Sequence, residues 1–196
     1  MDWIKILSKD HPKFWEKYIA NFSSSNKNSN RFIVFDCATT GTDFENDRIF
    51  SISGIAVVNN QIIVSDFIEI IIQQDMMDHE FSKLTIGKEE KFVEAEAIIR
   101  FLDFIKDATL VGHNVDFDIE MINQALRRLH LGTLKNEIMD INIMNQKINN
   151  DYFDVFLNLD ELCDLYKVSK TNNYTAHGNA FIIALLFLKL SAKLRI

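Results

Sequence analysis

The sequence predicts an α/β domain built on a mixed five-stranded sheet flanked by helices. Three observations predict it. Runs rich in β-branched residues come first, at 31–36, 48–58 and 61–72. Helical patterns then alternate with two short apolar runs, at 108–112 and 137–141. The chain has 196 residues, 47% of them apolar and 25% charged, enough for one sizeable core and little beyond it. Strands in succession, followed by strands that alternate with helices, give a sheet with both antiparallel and parallel pairs.

Taken in order, residues 1–22 read as helical. Pro12 stands early in that stretch, where a missing N–H matters least, and Asp10 before it is a candidate cap. Phe14, Trp15, Tyr18, Ile19 and Phe22 form an aromatic stripe near helical spacing, which is expected to pack on the body of the domain. Residues 23–30 are Ser, Asn and Lys only, which suits a flexible linker. The run at 31–36 is apolar and ends in Asp36, as a buried strand does. Asn59 and Asn60 join the next two β-rich runs into a hairpin. Residues 89–106 and 116–131 carry helical periodicity. Further helices are expected at 144–147, 159–166 and 175–194. The division is therefore an N-terminal helical segment at 1–22, a linker at 23–30 and one domain at 31–196.

Composition excludes several classes. No run of 18 apolar residues offers a membrane span, and the first ten residues lack the apolar core of a signal peptide. Cys37 and Cys163 make neither a disulfide framework nor a zinc pattern, so a reducing cytoplasm is expected. The formal net charge is −7, which argues against tight, non-specific binding of nucleic acid but allows a local basic patch.

Three segments carry chemistry. Asp36 ends the first strand and is followed by Cys37, Ala38, Thr39, Thr40 and Gly41; a carboxylate there suits a metal ligand or a structural cap. His113, Asn114, Val115, Asp116, Phe117 and Asp118 lie where a buried strand passes into a helix. Asp116 and Asp118, two apart, point to different faces of that helix, so one can face a site while Asp116 caps the end. Tyr174 to Ala180 opens the last helix, whose remainder is almost wholly apolar, so its first turn is the polar end.

In this order and setting, the three segments resemble the motifs of the DEDDh 3′–5′ exonucleases. This is the DnaQ-like family that includes the proofreading epsilon subunit of bacterial DNA polymerase III. The likeness runs from about residue 31 to the C-terminus. It implies an RNase H-like fold in which four carboxylates hold two divalent ions, Mg²⁺ or Mn²⁺, and a His serves as general base. Asp36 matches the first carboxylate and Asp118 the third. Ala38 stands where the family has Glu. In the register that aligns without a gap, Tyr174 replaces the His and Asn179 the last Asp. In the alternative register His177 is the family His, and Ile182 takes the place of the Asp. Either way two carboxylates of four remain, so metal binding at Asp36 and Asp118 is expected to be weak or absent. Thr39, Thr40, Gly41, Asn114 and Phe117 are, by the same resemblance, the nucleotide-binding positions. Asp43, Glu45, Asp47, Asp116 and Glu120 flank the motifs and read as solvated charge unless one swings in.

The resemblance thus implies a 3′–5′ exonuclease-like domain, catalytically impaired or inactive, that binds a nucleotide or a single-stranded nucleic acid. The alternatives are an active metal-dependent DNA exonuclease with an atypical site and a protein-interaction module. The polymerase-binding tail of the epsilon subunit follows its nuclease domain. This chain stops right after its last helix, which counts against a polymerase partnership.

Overall fold

The computed structural model describes residues 11–23, 30–74, 90–149, 156–170 and 176–196. The first helix, α1, covers Lys13–Ala20, with Pro12 at its N-cap position. Asp10 and the core of the Ser/Asn-rich stretch lie outside the described residues. Strands β1 (Arg31–Thr39), β2 (Ile49–Val58) and β3 (Gln61–Ile72) follow as an antiparallel meander. Asn59 and Asn60 both take positive φ, 50° and 58°, as a two-residue turn between twisted strands requires. Next come β4 (Lys91–Phe92), α2 (Glu94–Ile105), β5 (Thr109–Gly112), α3 (Val115–Arg128), β6 (Ile138–Asp140), α4 (Ile141–Asn149), α5 (Leu159–Tyr166) and α6 (Ala176–Leu194).

The sheet has six strands rather than the expected five, in the order β4-β3-β2-β1-β5-β6. The extra strand, β4, is two residues long and pairs in parallel with the end of β3. It occupies the front of the expected helix at 89–106, which starts only at Glu94. Two residues show no alternation, so nothing in the sequence marks them as a strand.

Alternation along β1 sorts the two faces. Ile33, Phe35 and Cys37 enter an apolar cluster with α1, α2 and α3. Val34 enters a second cluster with α4, α5 and α6. The sheet is the middle of three layers. Trp15 and Tyr18 of α1 are buried in the first cluster, so the aromatic stripe packs on the body of the domain as expected. In the second, α6 buries Ala180, Ile183, Ala184, Leu186 and Leu190, which explains why its sequence is apolar nearly all round. By the same alternation Asp36 and Ala38 fall on the α6 side. β1 and β5 run parallel, and their carboxyl ends open on one edge of the sheet, a common place for a binding site in α/β folds.

Candidate functional site

Asp36, near the end of β1, is half-buried, and its Oδ2 accepts a hydrogen bond of 3.2 Å from Nδ2 of Asn179 in the first turn of α6. Burial pushes the Asp36 carboxyl up to about 6, against the opposing pull of that bond. Asp118, in the first turn of α3, is 4% exposed and accepts the Cys37 N–H at 3.2 Å. Its carboxyl is pushed well above the usual range, by burial first and then by the charges of Asp36 and Asp140, while the Cys37 amide and thiol pull it down. The Cys37 thiol is itself pushed up by burial and by the two carboxylates. Two acids thus sit close enough for the charge of Asp36 to raise Asp118, and burial disfavours the charged form of both.

Ala38 is on the same strand face and brings no oxygen. Tyr174 lies outside the described residues. His177 stands in the first turn of α6, and its side chain lies outside them too. Ile182 is buried in the α6 cluster. The residue of α6 that meets Asp36 is thus Asn179, the one the gap-free register puts at the last carboxylate position. Among the described residues, no three His, Cys, Asp or Glu side chains stand close enough together to hold a metal ion.

The turn after β1 is tied internally. The Thr39 hydroxyl donates to the Gly41 carbonyl at 2.8 Å. The Thr40 hydroxyl donates to Asp47 and accepts the Arg48 N–H. Asp47 also accepts the Asp43 N–H, and Asp43 accepts two N–H groups and the side-chain amide of Asn46. A Cβ on Gly41 would stand 2.4 Å from an Asp47 oxygen, so glycine is what lets that carboxylate approach. Asp43 and Asp47 are therefore spent on the loop. Glu120 is paired with Arg127 on the helix surface.

The second motif is held from a distance. Asn114 is in the left-handed region, φ 54°, ahead of α3. Asp116 is inside the helix and exposed, so it is not the cap. The cap is Asp140 at the end of β6: its Oδ2 accepts the Val115 N–H at 2.8 Å and its Oδ1 the Asn142 N–H at 2.7 Å. The buried Asn142 side chain donates to Asn114 Oδ1 and exchanges bonds with the backbone of Leu157. His113 Nε2–H donates to the same Leu157 carbonyl at 2.8 Å. Sequence reasoning missed Asp140 and Asn142. An Asp directly before a helix was the available signal for the local cap; its second bond, across 25 residues, leaves no local trace. Phe117 packs against the core and also meets Phe44 of the β1–β2 loop, ring centres 5.4 Å apart and planes tilted by 41°.

A family model described as exonuclease, RNase_T, matches residues 33–181. The chain is 29% identical over 169 residues to the PolC-type DNA polymerase III of Caldanaerobacter subterraneus subsp. tengcongensis, covering 84% of this chain and 12% of that protein. It is 27% identical over 168 residues to the same polymerase of Staphylococcus aureus, with the same coverage. Among solved structures, E. coli exonuclease I in complex with a dT13 oligonucleotide superposes with a TM-score of 0.67 at 15% identity, covering 85% of this chain and 42% of that one. The chain thus spans a small part of the polymerases and less than half of exonuclease I; the latter likeness speaks for the fold.

Proposed function

The chain belongs to the RNase_T exonuclease family, and from that premise we propose that it is a domain that binds single-stranded nucleic acid ends without cutting them. One observation carries the reading: Asn179 turns an N–H toward Asp36 where the family resemblance calls for an anionic oxygen. A divalent ion of the Mg²⁺ or Mn²⁺ kind is held by hard oxygen donors and gives up its water reluctantly. At this site one donor is missing at Ala38, one is replaced by an amide, and Asp118 turns an oxygen to the Cys37 amide. The donor set does not fit two divalent ions.

The binding half of the proposal rests on the intact turn after β1 and the intact start of α3. The turn is fixed by its own hydrogen bonds and the start of α3 by bonds from Asp140 and Asn142, and both open at the carboxyl edge of β1 and β5. The E. coli neighbour, which shares the fold over part of its length, was solved in complex with a dT13 oligonucleotide, and this supports the choice of ligand.

The test uses a 5′-labelled single-stranded DNA oligonucleotide with Mg²⁺ or Mn²⁺. The wild-type chain is expected to leave it full length. The triple variant Ala38→Glu, Tyr174→His, Asn179→Asp is expected to shorten it from the 3′ end, because metal ligands and base act as a unit whose losses do not add. Metal-dependent shortening by wild type that disappears in Asp36→Ala would overturn the proposal.

A further inference from the structure

Phe44 stands outside all three motifs, and about a third of its surface is open to solvent, 36%. It sits at the tip of the loop between β1 and β2 and leans on Phe117, the residue before Asp118. Phe117 is half-buried and anchored in the core, so the pair has a fixed base and an open top. The loop that carries Phe44 is held on both sides of the ring. Asp43 gathers the amides of Glu45 and Asn46, Asp47 binds back to Thr40 and to the Asp43 amide, and the Asp47 amide donates to the Asp43 carbonyl. Arg48 closes the loop onto the carbonyls of Glu45 and Asp47. A short polar loop that fixes an exposed phenyl ring at the rim of a site is ordered before any ligand arrives.

We infer that Phe44, backed by Phe117, is a stacking platform for an unpaired nucleobase at the end of a single strand. The inference rests on the binding reading above and names the group that reading needs. Three physical points favour a base over another occupant. The ring offers a flat apolar face and no donor or acceptor, which suits stacking on any base without selecting among them. The Thr40, Asp43, Asp47 and Arg48 side chains of its loop are engaged within the loop, so they are not set out for a polar ligand. The platform lies at the carboxyl edge of β1, next in sequence to the turn that leads from Asp36, so a strand end reaching toward Asp36 passes it.

The experiment measures fluorescence anisotropy of a 5′-labelled oligo-dT of about ten nucleotides, with EDTA present to exclude metal. A second oligonucleotide lacks the base at its 3′-terminal positions. Phe44→Leu keeps an apolar side chain on Phe117 but removes the aromatic face, and Phe44→Trp enlarges that face. Phe44→Leu is expected to bind the full oligonucleotide about 5- to 100-fold more weakly than wild type, the range a lost base–aromatic stack accounts for. Phe44→Trp is expected to match or exceed wild type. Wild type is expected to lose a similar factor on the abasic oligonucleotide, and Phe44→Leu to lose little more. Thermal melting of each variant checks that the loop and domain stay folded. If Phe44→Leu melts like wild type and binds both oligonucleotides as wild type does, the ring only staples the loop to α3 and the inference falls, while the binding reading stands. If wild type binds neither oligonucleotide, both fall together.

Discussion

Asn179 and Asp36 show how one atom changes a site. Replacing a carboxylate oxygen by an NH₂ group turns a ligand pair into a neutral donor facing an acid. Asp36 does not gain from its surroundings as a paired surface acid does. Its carboxyl moves from the ordinary 3.8 up to about 6, because burial outweighs the bond from Asn179. A raised acid favours folding only while it is protonated. Its contribution is complete below about pH 4, fades as the pH climbs toward about 6, and is absent above that. The shift corresponds to at most about 3 kcal/mol, and to less once its partial exposure is counted. Asp36→Asn is therefore expected to raise the melting temperature at pH 8 by several degrees, at about 2–4 °C per kcal/mol for a domain of this size. It is also expected to flatten the loss of stability between pH 4 and 6. A melting curve at pH 8 that is lower in the variant, with the wild-type pH dependence unchanged, would show that Asp36 is stabilised in its charged form. How much of this was legible beforehand follows from the residues. Asp36, Asp118 and Asn179 were found from their positions in ordered motifs. The Cys37 amide that Asp118 accepts was not, because a strand residue carries no sign of which helix will approach it. Phe44 escaped for the same reason: one aromatic in a polar loop has no periodicity, and its partner lies beyond the whole hairpin.

At the scale of elements, α1 is part of the core rather than an appendage. The Tyr18 hydroxyl donates to Asn136 Oδ1 at 2.7 Å and accepts the Lys135 N–H at 2.8 Å, while the Asn136 amide donates to the carbonyls of Lys106 and Ala108. Trp15 lies against Gly132, where a Cβ would come within 3.2 Å of its ring. One helix thus fixes the loop that leads from α3 into β6, the strand whose Asp140 caps α3. Tyr18→Phe strands two polar groups in a buried place, at about 1–3 kcal/mol. Its melting temperature is expected to fall by several degrees, and adding Asn136→Ala is expected to lower it by less than the sum of the two single changes. An unchanged melting temperature in Tyr18→Phe would mean that the helix is held by its rings alone. Elements were legible in the sequence where a pattern ran long enough to have a period: the spans 61–72 and 159–166 agree with β3 and α5. Boundaries failed where the stop signal was tertiary. The N-cap residue of α2 is Val93, with no side-chain bond, and α3 is capped by Asp140 from another strand. A capping box, by contrast, is local, and Asn158 with Glu161 marks the start of α5 in the sequence itself.

For the molecule as a whole, the question is how an acidic protein holds an anionic strand. The chain carries 28 acidic against 21 basic residues. Many of its described cations are already engaged: Arg31 with Asp66, Arg100 with Glu96, Arg127 with Glu120, Arg128 with Glu94, Lys17 with Asp103 and Lys170 with Asp164. Arg48, the cation nearest the turn after β1, is bound to its own loop. Binding that rests on phosphate contacts releases counterions and weakens steeply with salt, with a slope of about −0.7 per phosphate neutralised on single strands. Binding that rests on a stacked base does not. With one or two phosphates met at most, affinity for oligo-dT is expected to fall only about 3- to 7-fold between 50 and 200 mM salt. Phe44→Leu is expected to lower the whole line without changing its slope, because it removes a contact that involves no ion. A slope several times steeper would mean that a basic surface carries the strand, and the site at the carboxyl edge of β1 would then be the wrong place to look for its ligand.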